Sequence, residues 1–112
     1  MDKSALVQLM KVMAGNIKVA FFNNCFSATQ AESVVQYVDA AIGMDDAIGD
    51  DAARTFAAQF YSAIGFSKSV QSAFDQAKLA LTLAGIPEEQ TPQLHVKDGV
   101  DANELILVKP VT

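Results

Sequence analysis

The chain has 112 residues, 8 basic against 13 acidic, a net charge of −5 and an apolar fraction of 51%. That length gives room for a single domain with one core, residues 1–112, and the acidic balance excludes a nucleic-acid footprint and an anionic membrane surface, which both need clustered Lys and Arg. One cysteine and one histidine exclude an internal disulfide and a cysteine-built zinc site, and leave a reducing cytoplasm as the expected compartment.

In chain order, Leu6, Leu9, Met10 and Met13 lie at helical spacing over residues 4–14, with Gly15-Asn16 as a stop. Asp2, Lys11 and Lys18 break up the apolar character here, so residues 1–25 do not read as a signal peptide. Ile17-Lys18-Val19-Ala20-Phe21-Phe22 is β-branched and aromatic between two pairs of turn formers, which predicts a strand buried on both faces, as in a parallel sheet. Its apolar run, Val19 to Phe22, is far short of the roughly 20 residues of a membrane span.

Ser27-Ala28-Thr29-Gln30 has capping-box spacing and predicts a helix over 28–38 with Ala31, Val34, Val35 and Val38 on its inner face. Ala40 to Met44 predicts a second strand. The acidic loop 45–51 follows, its last carboxylates suited to a helix N-terminus. A helix over 51–64 places Ala53, Phe56, Ala57, Phe60 and Ile64 inward, with Gly65 in the left-handed closing position. Ser67 is the expected cap of a helix over 68–84, with Val70, Ala73, Phe74, Ala77 and Leu81 inward and Gly85 and Pro87 as its stop. Alternation predicts a strand at 93–97, and 104–109 reads as a last strand, the two forming a hairpin across the loop 98–103.

Strands alternating with helices predict an α/β fold: three layers, with a mainly parallel sheet of about three or four strands between flanking helices, and a C-terminal β extension over 98–112. In such sheets ligands collect at the carboxyl ends of the strands. Asn24, Cys25 and Ser27 follow the first strand, and Asp45 and Asp46 follow the second. These two groups are therefore expected on one edge, Cys25 as the candidate nucleophile and Asn24, Ser27, Asp45 and Asp46 as candidate binding residues. Asp45, Asp46, Asp50 and Asp51 lack the spacing of a calcium loop; helix capping and solubility account for them, and no metal or other cofactor is expected.

Ile17 to Ser27, with its apolar strand, Asn23-Asn24-Cys25 and following Ser, resembles the cysteine strand of caspase-like peptidases, in particular CHAT-type domains. The resemblance continues through Val38–Met44, Asp50–Ala53, Phe56, Phe60-Tyr61, Gly65, Ser69, Ala73, Ala77 and Ile86–Glu89 with Thr91-Pro92, and so covers residues 4–95. It implies cysteine peptidase chemistry, in which the thiolate attacks a peptide carbonyl and a histidine carries the proton. By resemblance Cys25 stands at the nucleophile position. The family's histidine comes from a His-Gly segment upstream of the residues matched here, and His95 lies in a downstream strand, where alternation predicts a solvated side chain sharing a face with Gln93 and Lys97. A thiol without a base is mostly protonated near neutral pH and is a weak nucleophile.

The resemblance thus implies the cysteine-bearing half of a caspase-like domain without its histidine half: a non-catalytic binding or assembly module. The alternative is a cysteine hydrolase whose histidine arrives in trans. Half a sheet would leave an apolar strand edge bare. The expected partner is therefore a second copy, pairing through the edge of strand 17–22 or of strand 104–108, with a protein or peptide as ligand and neither nucleic acid nor membrane.

Overall fold

The computed structural model describes residues 18–23 and 26–108. The helix expected at 4–14, together with Ile17, Asn24, Cys25 and Lys109, lies outside the described residues. The described chain is a small α/β fold with three helices and one three-stranded mixed sheet. None of its helices is long and apolar enough to cross a membrane. It divides into two compact units: one runs to Ala47 and takes in Pro92–Val100, and the other holds Ile48–Thr91 and the segment from Asp101 onward.

The first unit contains the sheet. Strand β1 (Val19–Phe21) leads through helix α1 (Ala28–Val34) to β2 (Ala40–Met44), and β3 (Pro92–Val96) completes the order β1-β2-β3. The first pair is parallel, with Val19, Ala20 and Phe21 opposite Ala40, Ala41 and Ile42. The second is antiparallel, running from Ala40 opposite Val96 to Met44 opposite Pro92. The sheet is therefore evenly mixed and not mainly parallel. Lys97 donates its backbone N–H to the Asp39 carbonyl at 3.0 Å. Antiparallel bonding alternates along a ladder, so Pro92 sits where its missing N–H faces away from β2, the usual place for proline in a strand at the end of a sheet.

Burial on both faces was expected of the first strand, but it belongs to the second. Every residue of β2 is buried, because β2 has a strand on each side. In β1 only Ala20 is buried, because β1 stands at the end of the described order. Ala20, Ala31, Val34, Val38 and Ala41 form one apolar cluster, with Phe22 and Tyr37 packed against it. Helix α1 is shorter than its apolar spacing suggests: Tyr37 donates to the Val34 carbonyl at 2.8 Å in a tight turn, which delivers Val38 to the cluster.

Helices α2 (Asp50–Gly65) and α3 (Val70–Leu83) make up the second unit. The Phe56 ring stacks parallel to Phe60, with centroids 6.3 Å apart, and meets Phe74 edge-on at 5.8 Å. Such aromatic pairs add roughly 0.5–1.5 kcal/mol beyond the area they bury. The expected inward residues Phe56, Phe60, Ile64, Val70, Ala73, Phe74, Ala77 and Leu81 are buried, whereas Ala52 and Ala63 replace Ala53 and Ala57 on the inner face of α2. Gly85 has φ of 75°. Its N–H reaches the Thr82 carbonyl and that of Ile86 reaches Leu81, both at 3.0 Å, which closes α3 as a Schellman motif.

Three expectations are corrected. The left-handed residue after α2 is Ser67, φ 66°, and not Gly65, which remains helical. With Ser67 used in that turn, the α3 cap passes to Ser69, whose hydroxyl accepts from the Ser72 N–H at 3.1 Å. Residues 104–108 form no strand and no hairpin with 93–97. Instead the Leu105 and Ala102 carbonyls accept from the N–H groups of Val70 at 2.8 Å and Gln71 at 3.1 Å. The tail thus satisfies donors that a helix start leaves open, and it provides no strand edge at 104–108 for a second copy.

Gly43 lies where α1 begins. A Cβ at this position would be 2.5 Å from the Ser27 carbonyl oxygen and 2.9 Å from the Ala28 Cα. Both are backbone atoms, which cannot rotate away, so Gly43→Ala should destabilise the chain by about 1–3 kcal/mol. A Cβ at Gly65, the last residue of α2, meets nothing within 4 Å, and Gly65→Ala should stabilise by about 0.4–1 kcal/mol, because alanine fits this helical backbone and has less conformational freedom to lose on folding. Urea unfolding of the two variants checks this, and equal midpoints would contradict the close approach at Gly43.

Candidate functional site at the carboxyl ends of β1 and β2

Because β1 and β2 are parallel, the chain leaves both at the same edge. The ladder extends one bond past β1, the Phe22 N–H donating to the Ile42 carbonyl at 2.8 Å. Beyond it the two exits are tied together by Ser27. The Ser27 hydroxyl donates to the Phe22 carbonyl and accepts from the Met44 N–H, each at 2.9 Å. Ser27 is 1% exposed. Its hydroxyl was expected to cap α1, but it makes no cap hydrogen bond; at this buried position the backbone groups at the ends of β1 and β2 take both sides of it.

Phe26 completes the tie. Its N–H donates to the Asp46 carbonyl at 3.2 Å. Its backbone is left-handed, φ 58°, a conformation that costs a non-glycine residue on the order of 1–3 kcal/mol. The Asp46 bond before it and the Ser27 bonds after it hold Phe26 in that conformation, and the ring is 65% exposed.

Asp45 and Asp46 are both exposed. Asp46 Oδ1 accepts from the Ala47 N–H at 2.7 Å. Among the described residues the ion pairs are Lys18 with Asp39 and Arg54 with Asp51, so no described cation is paired with Asp45 or Asp46. The edge therefore presents two carboxylates and an aromatic ring, a combination suited to a cationic group. Asp50 and Asp51 belong to the other unit, in the first turn of α2. Among the described residues no group of three or more His, Cys, Asp and Glu side chains is arranged to hold a metal.

Of the residues expected at this site, Ser27, Asp45 and Asp46 come together, while Asn24 and Cys25 lie outside the described residues. Ser27 is committed to backbone partners and sets the position of the loop. His95 is not the solvated histidine that alternation suggested. It pairs with Ala41, and opposite residues in a ladder share a face, so it lies on the face that carries the α1 cluster. Its Nε2 is buried without a hydrogen-bond partner. Phe26 and Gly43 escaped sequence reasoning. A glycine inside an apolar strand does signal a close backbone approach, and that signal was present at Gly43.

No protein-family model matches the chain, and a search of curated proteins finds no match.

Removing the Ser27 hydroxyl would strand the Met44 N–H in the interior. Ser27→Ala should cost about 1–3 kcal/mol, the penalty for an unsatisfied buried donor. Ser33, whose exposed hydroxyl donates to the Thr29 carbonyl at 2.7 Å, is the control: Ser33→Ala should change stability by no more than about 0.5 kcal/mol. Thermal unfolding of both variants compares the two positions. A Ser27→Ala protein as stable as Ser33→Ala would remove the tie from the account of this edge.

Proposed function

We propose that this chain is a non-catalytic, caspase-like half-domain of the CHAT type, with a three-layer arrangement, working in the cytoplasm as a dimeric binding or assembly module. Its protein or peptide ligand is met at the loops that leave β1 and β2, where Asp45, Asp46 and Phe26 are exposed, with Asn24 and Cys25 as further proposed contributors. The observation that carries the reading is the parallel β1–α1–β2 unit, whose two exits are hydrogen-bonded to each other through Ser27 and Asp46. That is the arrangement in which an α/β sheet presents a ligand site.

The position of His95 speaks against its serving as a base at the exit loops of its own chain. It is paired with Ala41, part-way along β2, whereas the exit loops leave from Met44, and a general base must lie within hydrogen-bond reach of the proton that it takes. For the second copy, the outer side of β1 is the proposed meeting edge, since β1 ends the described strand order; no strand at 104–108 offers an alternative.

Two measurements on the full chain test this. Light scattering at micromolar concentrations should give the mass of a dimer, for the natural chain and for Cys25→Ala alike. Neither protein should cleave a Lys- or Arg-containing amide substrate. A monomer mass throughout would overturn the dimeric reading. Cleavage by the natural chain that Cys25→Ala abolishes would replace the binding module with a hydrolase.

A further inference from the structure

At the opposite end of β2 from the site above, the first unit has a concavity. It lies between the end of α1 and the end of β3, is lined by Val35, Gln36, Val96, Lys97 and Asp98, and has a volume of about 260 Å³. Two of its lining residues carry opposite charges yet form no ion pair, since the pairs among the described residues are Lys18–Asp39 and Arg54–Asp51. The valines supply an apolar wall. The pocket thus offers one ammonium and one carboxylate, without an ion-pair partner among the described residues, and one amide, around a small apolar surface. Pockets for drug-sized ligands run from roughly 300 to 1,000 Å³, so this one suits a smaller molecule.

We propose that this pocket binds a small zwitterion with a short apolar chain, the chemical class of a free aliphatic α-amino acid. The ligand carboxylate meets Lys97, its ammonium meets Asp98, and its side chain lies against Val35 and Val96. This site is independent of the proposed function: it shares no residue with the loops that leave β1 and β2, and it requires neither a dimer nor Cys25.

The test is an amide NMR titration of the full chain with L-leucine, with isopentylamine and 4-methylpentanoate as probes lacking one charge each. Leucine should shift the amides of residues 35–36 and 96–98, with a Kd of about 1 mM, as expected for so few heavy atoms. Each single-charge probe should bind about fivefold more weakly, the ratio expected for one exposed ion pair. Lys97→Met should reduce leucine binding to the level of isopentylamine and leave isopentylamine itself unaffected. Asp98→Asn should do the same with respect to 4-methylpentanoate. Both residues are exposed, and a dispersed spectrum verifies that each variant is folded. The absence of localised shifts up to about 20 mM leucine, single-charge probes that bind as well as leucine, or variants that weaken all three probes equally would each overturn the proposal.

Discussion

One buried hydroxyl organises the exit edge of the sheet. Ser27 lies between the last carbonyl of the first strand region and the last N–H of β2 and bonds to both. Parallel strands have no hairpin to join their ends, because the connection runs through a helix. Without a lateral tie the two exits would be free to splay. The Ser27 bonds join them through one side chain, and the absence of a side chain at Gly43 lets the start of α1 come close enough for those bonds to form. The left-handed conformation of Phe26 follows from the same arrangement, since the backbone must turn sharply between its bond to Asp46 and the buried serine.

The second unit has an analogous economy of backbone groups. Helix starts leave N–H groups open, and each start here is served by a distant residue: the Gly49 N–H by Glu88 Oε1 at 2.9 Å, and those of Val70 and Gln71 by the carbonyls of Leu105 and Ala102. This also explains why an apolar, β-branched tail does not form a strand. Strand propensity is a preference for a pleated, half-buried surface; here Leu105 and Ala102 have backbone partners at the start of a helix instead, and Asp101 Oδ1 turns the chain by accepting from the Asn103 N–H at 2.9 Å.

Much of this was readable in the residues. The α/β class, the strand at Ala40–Met44, the helix pair with its phenylalanine core and the stop at Gly85 all follow from periodicity and turn chemistry, which are local signals. The errors share one cause: a local rule was overridden by a distant partner. Ser27 has the spacing of a cap, yet Phe22 and Met44 take its hydroxyl. Residues 93–97 and 104–109 look like a hairpin, yet β3 pairs with β2 and the tail serves α3. His95 alternates as a surface residue would, but the pairing with Ala41 places it on the α1 face. The site was legible to the extent that parallel strands bring Phe22, Phe26 and Ser27 to one edge with Asp45 and Asp46. The left-handed backbone of Phe26 was not, since a positive φ at a phenylalanine has no sequence signature.

Functionally, the edge combines a rigidly tied backbone with exposed carboxylates and an exposed ring, a surface suited to recognition. That tie rests on the Ser27 bond, and amide hydrogen exchange at Met44 in the native chain reports on it most directly. The account predicts that the Met44 amide exchanges only through large-scale opening, as slowly as the ladder amides of Ala40 and Ile42. Exchange as fast as that of the exposed Ala47 amide would mean that the two exits are not tied together, and would contradict the account of the edge built on them.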